Sequence, residues 1–192
     1  MIKTDQKIYL ASKSPRRKKL LEQINLKFEV FSVDTPEIFK KNERPSDTVK
    51  RIANEKLDAA KEIVKEGIII TADTIVVING KILGKPTDKK NAVKLLNILS
   101  GKRHIVYTGY SVYNSLSRKV ITDYEKTYVT FRKLSKNEIV DYVETGSPMD
   151  KAGAYGIQDD YGAVFITKIN GCYYNVVGLP LTKVYQALLR II

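Results

Sequence analysis

One acid stands in an otherwise apolar run, Ile68-Ile69-Ile70-Thr71-Ala72-Asp73-Thr74-Ile75-Val76-Val77-Ile78. Such a run reads as buried β-structure, where a carboxylate is costly unless a nearby group compensates its charge. Asp73 is therefore a candidate for chemistry rather than for solubility. Lys56 is the second such residue. On the helical stripe Val49, Ile52, Ala53, Leu57, Ala60, Ile63 and Val64 it falls at i+7 from Val49, whereas Lys50, Lys61 and Lys65 point away. A lysine on that face snorkels, pairs with a carboxylate or meets a bound anion. Because this helix runs directly into the Asp73 strand, a Lys56–Asp73 cluster is geometrically easy.

Three further segments carry donors suited to anions or bases. Ser12-Lys13-Ser14-Pro15-Arg16-Arg17 lies where a strand hands over to a helix, and Ser14-Pro15 reads as an N-cap followed by proline at the first helical position. Free N–H groups and the helix dipole favour an anion there, and Ser12, Ser14, Arg16 and Arg17 add donors matched to phosphate oxygens. The bland alternative is an ordinary cap with solvent-facing arginines. The segment lacks the GxxxxGK[ST] pattern, so it is no Walker loop. In Gly84-Lys85-Pro86 a lysine has a rigid, exposed perch that suits phosphate and equally suits solvent. In Asp150-Lys151-Ala152-Gly153-Ala154-Tyr155-Gly156-Ile157-Gln158 the glycines permit close approach of a ligand, Gln158 offers an amide for a base edge, and Tyr155 a stacking face. A structural Ω-loop is the competing reading. His104, the single histidine, reads as a structural or surface residue, which leaves a Ser/His/Asp triad without support.

The elements that position these residues follow from pattern. Strands are expected over 8–11 and 28–33, with a helix from Ser14 between them that turns Leu20, Leu21 and Ile24 inward. Ser46 is expected to cap the long helix, which ends at Gly67. Two strands hinged near Asp73 follow, and Asn79-Gly80 is a strong hairpin signal into Lys81-Ile82-Leu83. A helix opens at Thr87/Asp88 and closes with Gly101 at C′. Residues 105–113 and 120–134 form a long antiparallel pair, and Ser135-Lys136-Asn137-Glu138 is a capping box. After a Gly-rich stretch over 145–162 come a strand over 163–167, an Asn170-Gly171 turn and a closing amphipathic helix over 181–191. Helices and hairpins interleave, which points to an α/β fold with a mixed sheet.

The bulk properties set limits. A chain of 192 residues with 43% hydrophobic and 28% charged content is expected to form one soluble domain over 1–192. No apolar stretch approaches the roughly 18–20 residues that cross a bilayer, and the start lacks a secretory apolar core. One cysteine, Cys172, excludes an intrachain disulfide and fits a reducing compartment, the cytoplasm. One His and one Cys exclude a structural zinc site, leaving a hard cation on oxygen ligands. The net charge of +12 favours anionic partners. Its basic residues are dispersed, so a nucleic-acid-binding regulator, the reading from another class, has no motif behind it.

These blocks, with Leu10-Ala11 before Ser12, Ala53-Asn54-Glu55 before Lys56, Leu99-Ser100-Gly101, Thr108-Gly109 and Asn175-Val176-Val177-Gly178-Leu179-Pro180, run in order along nearly the whole chain. The chain thereby resembles the Maf family of nucleoside triphosphate pyrophosphatases, once named for septum-formation inhibition. The resemblance implies a mixed, elongated sheet flanked by helices, with two lobes and a central cleft, similar to the inosine triphosphate pyrophosphatases. It implies cleavage of a nucleoside triphosphate to monophosphate and pyrophosphate with Mg²⁺ or Mn²⁺, in a homodimer without nucleic acid or membrane partners. A cell-division role beside or instead of catalysis is the alternative. By the same resemblance Asp73 is the general base, and Lys56 and Lys85 are cleft lysines that help keep it ionised. Arg16, Thr74 and Gln158 govern substrate choice, and Thr74 with Gln158 points to the dTTP and UTP branch. A second, metal-binding carboxylate is expected near Val33-Asp34-Thr35-Pro36-Glu37, from Glu37 or from Asp34. Asp159-Asp160 stands where the family commonly has Gly, and Ser147 where it frequently has Glu.

Overall fold

The computed structural model describes residues 2–158 and 160–192. In chain order these form β1 (Ile8–Ala11), α1 (Pro15–Gln23), β2 (Glu29–Phe31), α2 (Pro45–Ile63), β3 (Ile68–Ile78), β4 (Lys81–Leu83) and α3 (Lys89–Leu99). There follow β5 (Arg103–Asn114), β6 (Lys119–Phe131), α4 (Lys136–Glu144), β7 (Ile166–Asn170), α5 (Tyr173–Val177) and α6 (Leu181–Ile191). The strand order is β2-β1-β3-β5-β6-β7, with β4 paired to β3. β1 is parallel to both β2 and β3, whereas β3/β4 and β6/β7 are antiparallel, so the expected mixed α/β sheet is present. Among the described residues no helix is long and apolar enough to cross a membrane.

The chain divides into two compact units. The first comprises the residues up to Asp73, Thr108–Glu125 and Gly178–Ile192; the second comprises Thr74–Tyr107 and Lys126–Val177. In the first, α2 is docked on the sheet by its apolar stripe and by three polar or steric keys. Thr71 Oγ donates 2.8 Å to the Ala53 carbonyl, and Asn54 Oδ1 accepts from Ser111 at 2.8 Å and Thr122 at 2.7 Å. At Gly109 the approach is so close that a Cβ would stand 2.3 Å from the Val49 carbonyl oxygen, and only glycine fits there. The second unit has its own core. In it Leu95, Leu96 and Leu99 of α3 and Ile139 and Tyr142 of α4 close on Val129, Phe131 and Phe165.

The expected start and stop signals hold at α1, α3 and α4. Ser14 and Asp88 accept from the backbone of Arg17 and Asn91, Gly101 follows α3 with φ +69°, and the Ser135/Glu138 capping box closes in both directions. Asn79 and Gly80 both have positive φ, 50° and 73°, as a tight hairpin turn requires. Other elements differ from the expectation. α2 starts at Pro45 with Arg44, not Ser46, as N-cap, because proline at the first helical position carries its own helical φ. It stops at Ile63, before Gly67, whose φ of +120° serves the turn into β3. β3 is one continuous strand through Asp73 rather than two hinged ones. The last strand begins at Ile166, not Ala163, because Tyr161–Phe165 winds into a 3₁₀ turn capped by the Asp160 side chain. The short α5 has no counterpart among the expected elements; Asn175 anchors it by donating 3.1 Å to the Val106 carbonyl.

Candidate active site

Asp73 sits in the middle of β3 and is only 3% exposed. Side chains two apart on a strand share a face. Thr71, fastened to Ala53 of α2, therefore holds that face against the helix turn that carries Lys56. The result is an ion pair of 2.6 Å between Lys56 Nζ and Asp73 Oδ1. The same ammonium lies 2.8 Å from Glu37 Oε1, so two carboxylates converge on one cation. Asp34, the other candidate for the second carboxylate, instead pairs with exposed Lys13 at 2.5 Å.

The start of α1 supplies the donors of the first unit. Ser12 is buried, and its hydroxyl accepts from the Ser14 backbone and from Arg17 Nη1, both at 3.2 Å. Arg17 Nε donates 2.8 Å to the Gly178 carbonyl, which fixes the guanidinium between β1 and the entry to α6. Arg16 and Ser14 are partly buried beside it. Arg17 is thus built into the site, while the cap reading of Ser14 also holds: its hydroxyl accepts from Arg17 N.

Electrostatics join these groups. Burial pushes the Asp73 carboxyl above the ordinary carboxylate range; Lys56 opposes the rise, Glu37 adds to it, and Arg17 opposes it. Lys56 and Arg17 are thus two cations that act on Asp73. Burial lowers the Arg17 guanidinium, against the pull of Asp73 and Glu37. A carboxyl so raised is a stronger base than a solvated one, which is what abstraction of a proton from water requires.

Asp73 and Glu37 form a pair of hard oxygen donors. Among the described residues no group of three His, Cys, Asp or Glu side chains gathers to hold a metal. A two-carboxylate set suits a small divalent cation that takes its remaining ligands from water and phosphate oxygens rather than a cation caged by protein alone.

Thr74, Lys85 and Gln158 belong to the second unit. Thr74 follows Asp73 on β3 and is partly buried, and Lys85 is exposed in the loop between β4 and α3. Its neighbour Gly84 accepts 3.0 Å from the backbone of Gly153, which ties that loop to the one bearing Gln158. Gln158 is partly buried, and among the described residues its Oε1 is a buried acceptor with no partner. Unmet buried acceptors are rare and mark a place where a ligand donor gains most. Tyr155, expected as a stacking face, is instead fully committed to the core. Its hydroxyl meets His104 Nε2 at 2.7 Å and its ring packs edge-on to Phe131. His104 is correspondingly structural, at 1% exposure.

Two networks escaped the sequence reading. Asp160 accepts from Ser147 Oγ at 2.6 Å and Gly162 N at 2.9 Å, and lies 3.2 Å from the buried Lys151 ammonium, which also meets the Ser147 carbonyl. These two positions of family departure are thus bonded to each other. Asp159 lies outside the described residues. The other network joins Arg51 to Glu43 at 2.7 Å. Both rest on charges within polar segments, where pattern alone marks nothing.

An α/β protein with a parallel β-α-β start, an arginine-bearing helix N-terminus and a buried carboxylate–ammonium centre has the groups to bind an anion and to take up a proton. The chain belongs to the Maf family: residues 7–191 match the family described as Maf-like protein. A protein of Caldanaerobacter subterraneus subsp. tengcongensis named dTTP/UTP pyrophosphatase is 47% identical over 185 residues, 96% of this chain and 88% of that one. One of the same name from Bacillus pumilus is 46% identical over 181 residues, 94% of each chain. Among solved structures, a HAM1 protein from Coxiella burnetii aligns over 96% of this chain and 99% of its own, with a TM-score of 0.49 and 11% identity.

Proposed function

We propose that this chain hydrolyses nucleoside triphosphates, dTTP and UTP foremost, to the monophosphate and pyrophosphate, with Asp73 as general base. The observation that carries the reading is the buried Asp73 carboxylate on Lys56, 2.6 Å away, with Glu37 on the same ammonium. The names of the two relatives support the substrate class.

Water attacks the α-phosphorus; Asp73 accepts its proton, and pyrophosphate leaves from the β side. Burial raises the affinity of Asp73 for that proton. Arg16, Arg17 and Lys85 hold the polyphosphate, and Lys56 stabilises charge on the transferred group as it develops. Ser12 and Ser14 orient Arg17 and the first turn of α1. Asp73 and Glu37 are the residues that would hold Mg²⁺ or Mn²⁺, which when bound acidifies water and neutralises phosphate charge. Thr74 and Gln158 are assigned to the base, for which the unpartnered Gln158 oxygen offers an acceptor to a ring N–H such as that of thymine or uracil.

A panel of nucleoside triphosphates, assayed for pyrophosphate release with and without divalent cation, tests this directly. Release from dTTP and UTP at least tenfold faster than from purine nucleotides, and only with the cation, is expected. Release from none of them would end the proposal.

A further inference from the structure

Residues 32–44 link β2 to α2 and carry Glu37. Val33 packs on a core cluster next to β2, but around Glu37 the segment gains little from apolar burial, for Ile38 is 59% and Phe39 41% exposed. Its anchor is Arg51, on the same helix as Lys56. The Arg51 Nε donates to Glu43 Oε1 at 2.8 Å and Nη2 to Glu43 Oε2 at 2.7 Å, a two-pronged fork on one carboxylate. Nη2 also donates 2.8 Å to the carbonyl of Ile38, the residue next to Glu37. Thr48, one turn earlier on α2, adds a bond of 3.0 Å to Glu43. Glu55, one turn later, accepts 2.9 Å from Arg51 Nη1 and so aims the guanidinium. Both Arg51 and Glu43 are largely buried, at 18% and 17% side-chain exposure.

We infer that Arg51 is a positioning residue: by clamping Ile38 and Glu43 it holds Glu37 against the Lys56 ammonium beside Asp73. The role needs a guanidinium. A planar fork reaches a carboxylate with two bonds and the Ile38 carbonyl with a third, which an ammonium on a flexible stem does not reproduce. The inference rests on the reading above, in which Glu37 completes the site.

The test is a double-mutant cycle with Glu37→Gln, in which each variant is also measured for Mn²⁺ binding by electron paramagnetic resonance without nucleotide, and for amide exchange over residues 35–43. R51M is expected to lower kcat/KM about tenfold, to weaken Mn²⁺ binding by a similar factor, and to speed exchange in the loop. In the E37Q background R51M adds less than twofold to either loss, because its effect passes through Glu37. R51K, which keeps charge and helix propensity, behaves as R51M does if the fork is what matters, and stands in for it should R51M not fold. Equal losses from R51M with and without Glu37, or loop exchange unchanged in both Arg51 variants, would overturn the inference. Arg132→Met, which breaks the 2.5 Å pair with Glu138 elsewhere, is the control for general destabilisation and leaves Mn²⁺ binding unchanged. If the wild type releases no pyrophosphate the functional reading fails, while the exchange measurement still decides whether Arg51 holds the loop.

Discussion

At the scale of single residues, burial acts in opposite directions on two titratable groups. It raises the proton affinity of Asp73, which suits a base; it lowers that of His104, which suits a core. His104 is held to a pKa of about 4 by burial, against 6.5 in an unfolded chain. The sign follows from linkage: the unfolded state binds the proton more tightly, so protonation favours unfolding. The stability that neutral His104 supplies is complete above pH 6.5 and is lost as pH falls towards about 4, a contribution of about 3 kcal/mol. Denaturant titrations across that range are expected to show the decline in wild type and a correspondingly flatter profile in His104→Gln, which cannot take up the proton. Equal slopes would contradict the assignment. Asp73 was legible in the sequence because an acid in an apolar strand is an anomaly. Arg51 and Asp160 were not, since a charge among other charges is no anomaly, and only the folded chain reveals what each one grips.

At the scale of elements, α2 is the part on which the site depends, because it carries both Lys56 and the Arg51 clamp. Its seat against β5 leaves no room at Gly109, where a Cβ would lie 2.3 Å from Val49 O and 2.8 Å from Lys50 N. Gly109→Ala must push helix backbone rather than a flexible side chain, and is expected to cost about 3 kcal/mol of stability and most of the activity. Gly146→Ala, at a position with nothing within 4 Å, tests a different limit; its φ of +75° costs about 1 kcal/mol with activity retained. Thermal unfolding of the two variants separates crowding from backbone strain. Helix ends with side-chain caps could be read in advance because Ser14, Asp88 and the Ser135/Glu138 box act locally. The continuity of β3 could not, because the Lys56 cation that makes Asp73 tolerable in mid-strand arrives from an element that ends five residues before the strand begins. The shift of the last strand has the same origin. Phe165 is drawn into an aromatic cluster with Phe131 and Tyr142, and the turn before it winds accordingly.

At the scale of the whole molecule, ordered blocks from Leu10 to Pro180 made the family legible, and the profile match over residues 7–191 bears this out. The mixed sheet was also within reach, since interleaved helices and hairpins admit few other arrangements. The net charge of +12 agrees with a polyanionic substrate without specifying one. Division of the chain into two compact units sends Asp73, Lys56, Glu37 and Arg17 to one and Thr74, Lys85 and Gln158 to the other. Linear spacing does not reveal that partition, because the first unit is assembled from three separate stretches of chain.

In the proposed reaction Asp73 takes the proton from the attacking water. This is tested most directly by comparing pyrophosphate release from dTTP and UTP by the wild type and by Asp73→Asn, with nucleotide binding measured on the same samples. Release is expected to fall by about 10²–10⁴-fold, the share that a positioned general base supplies, while nucleotide binding stays within a few-fold of wild type. Release at the wild-type rate from the folded Asp73→Asn variant would contradict it.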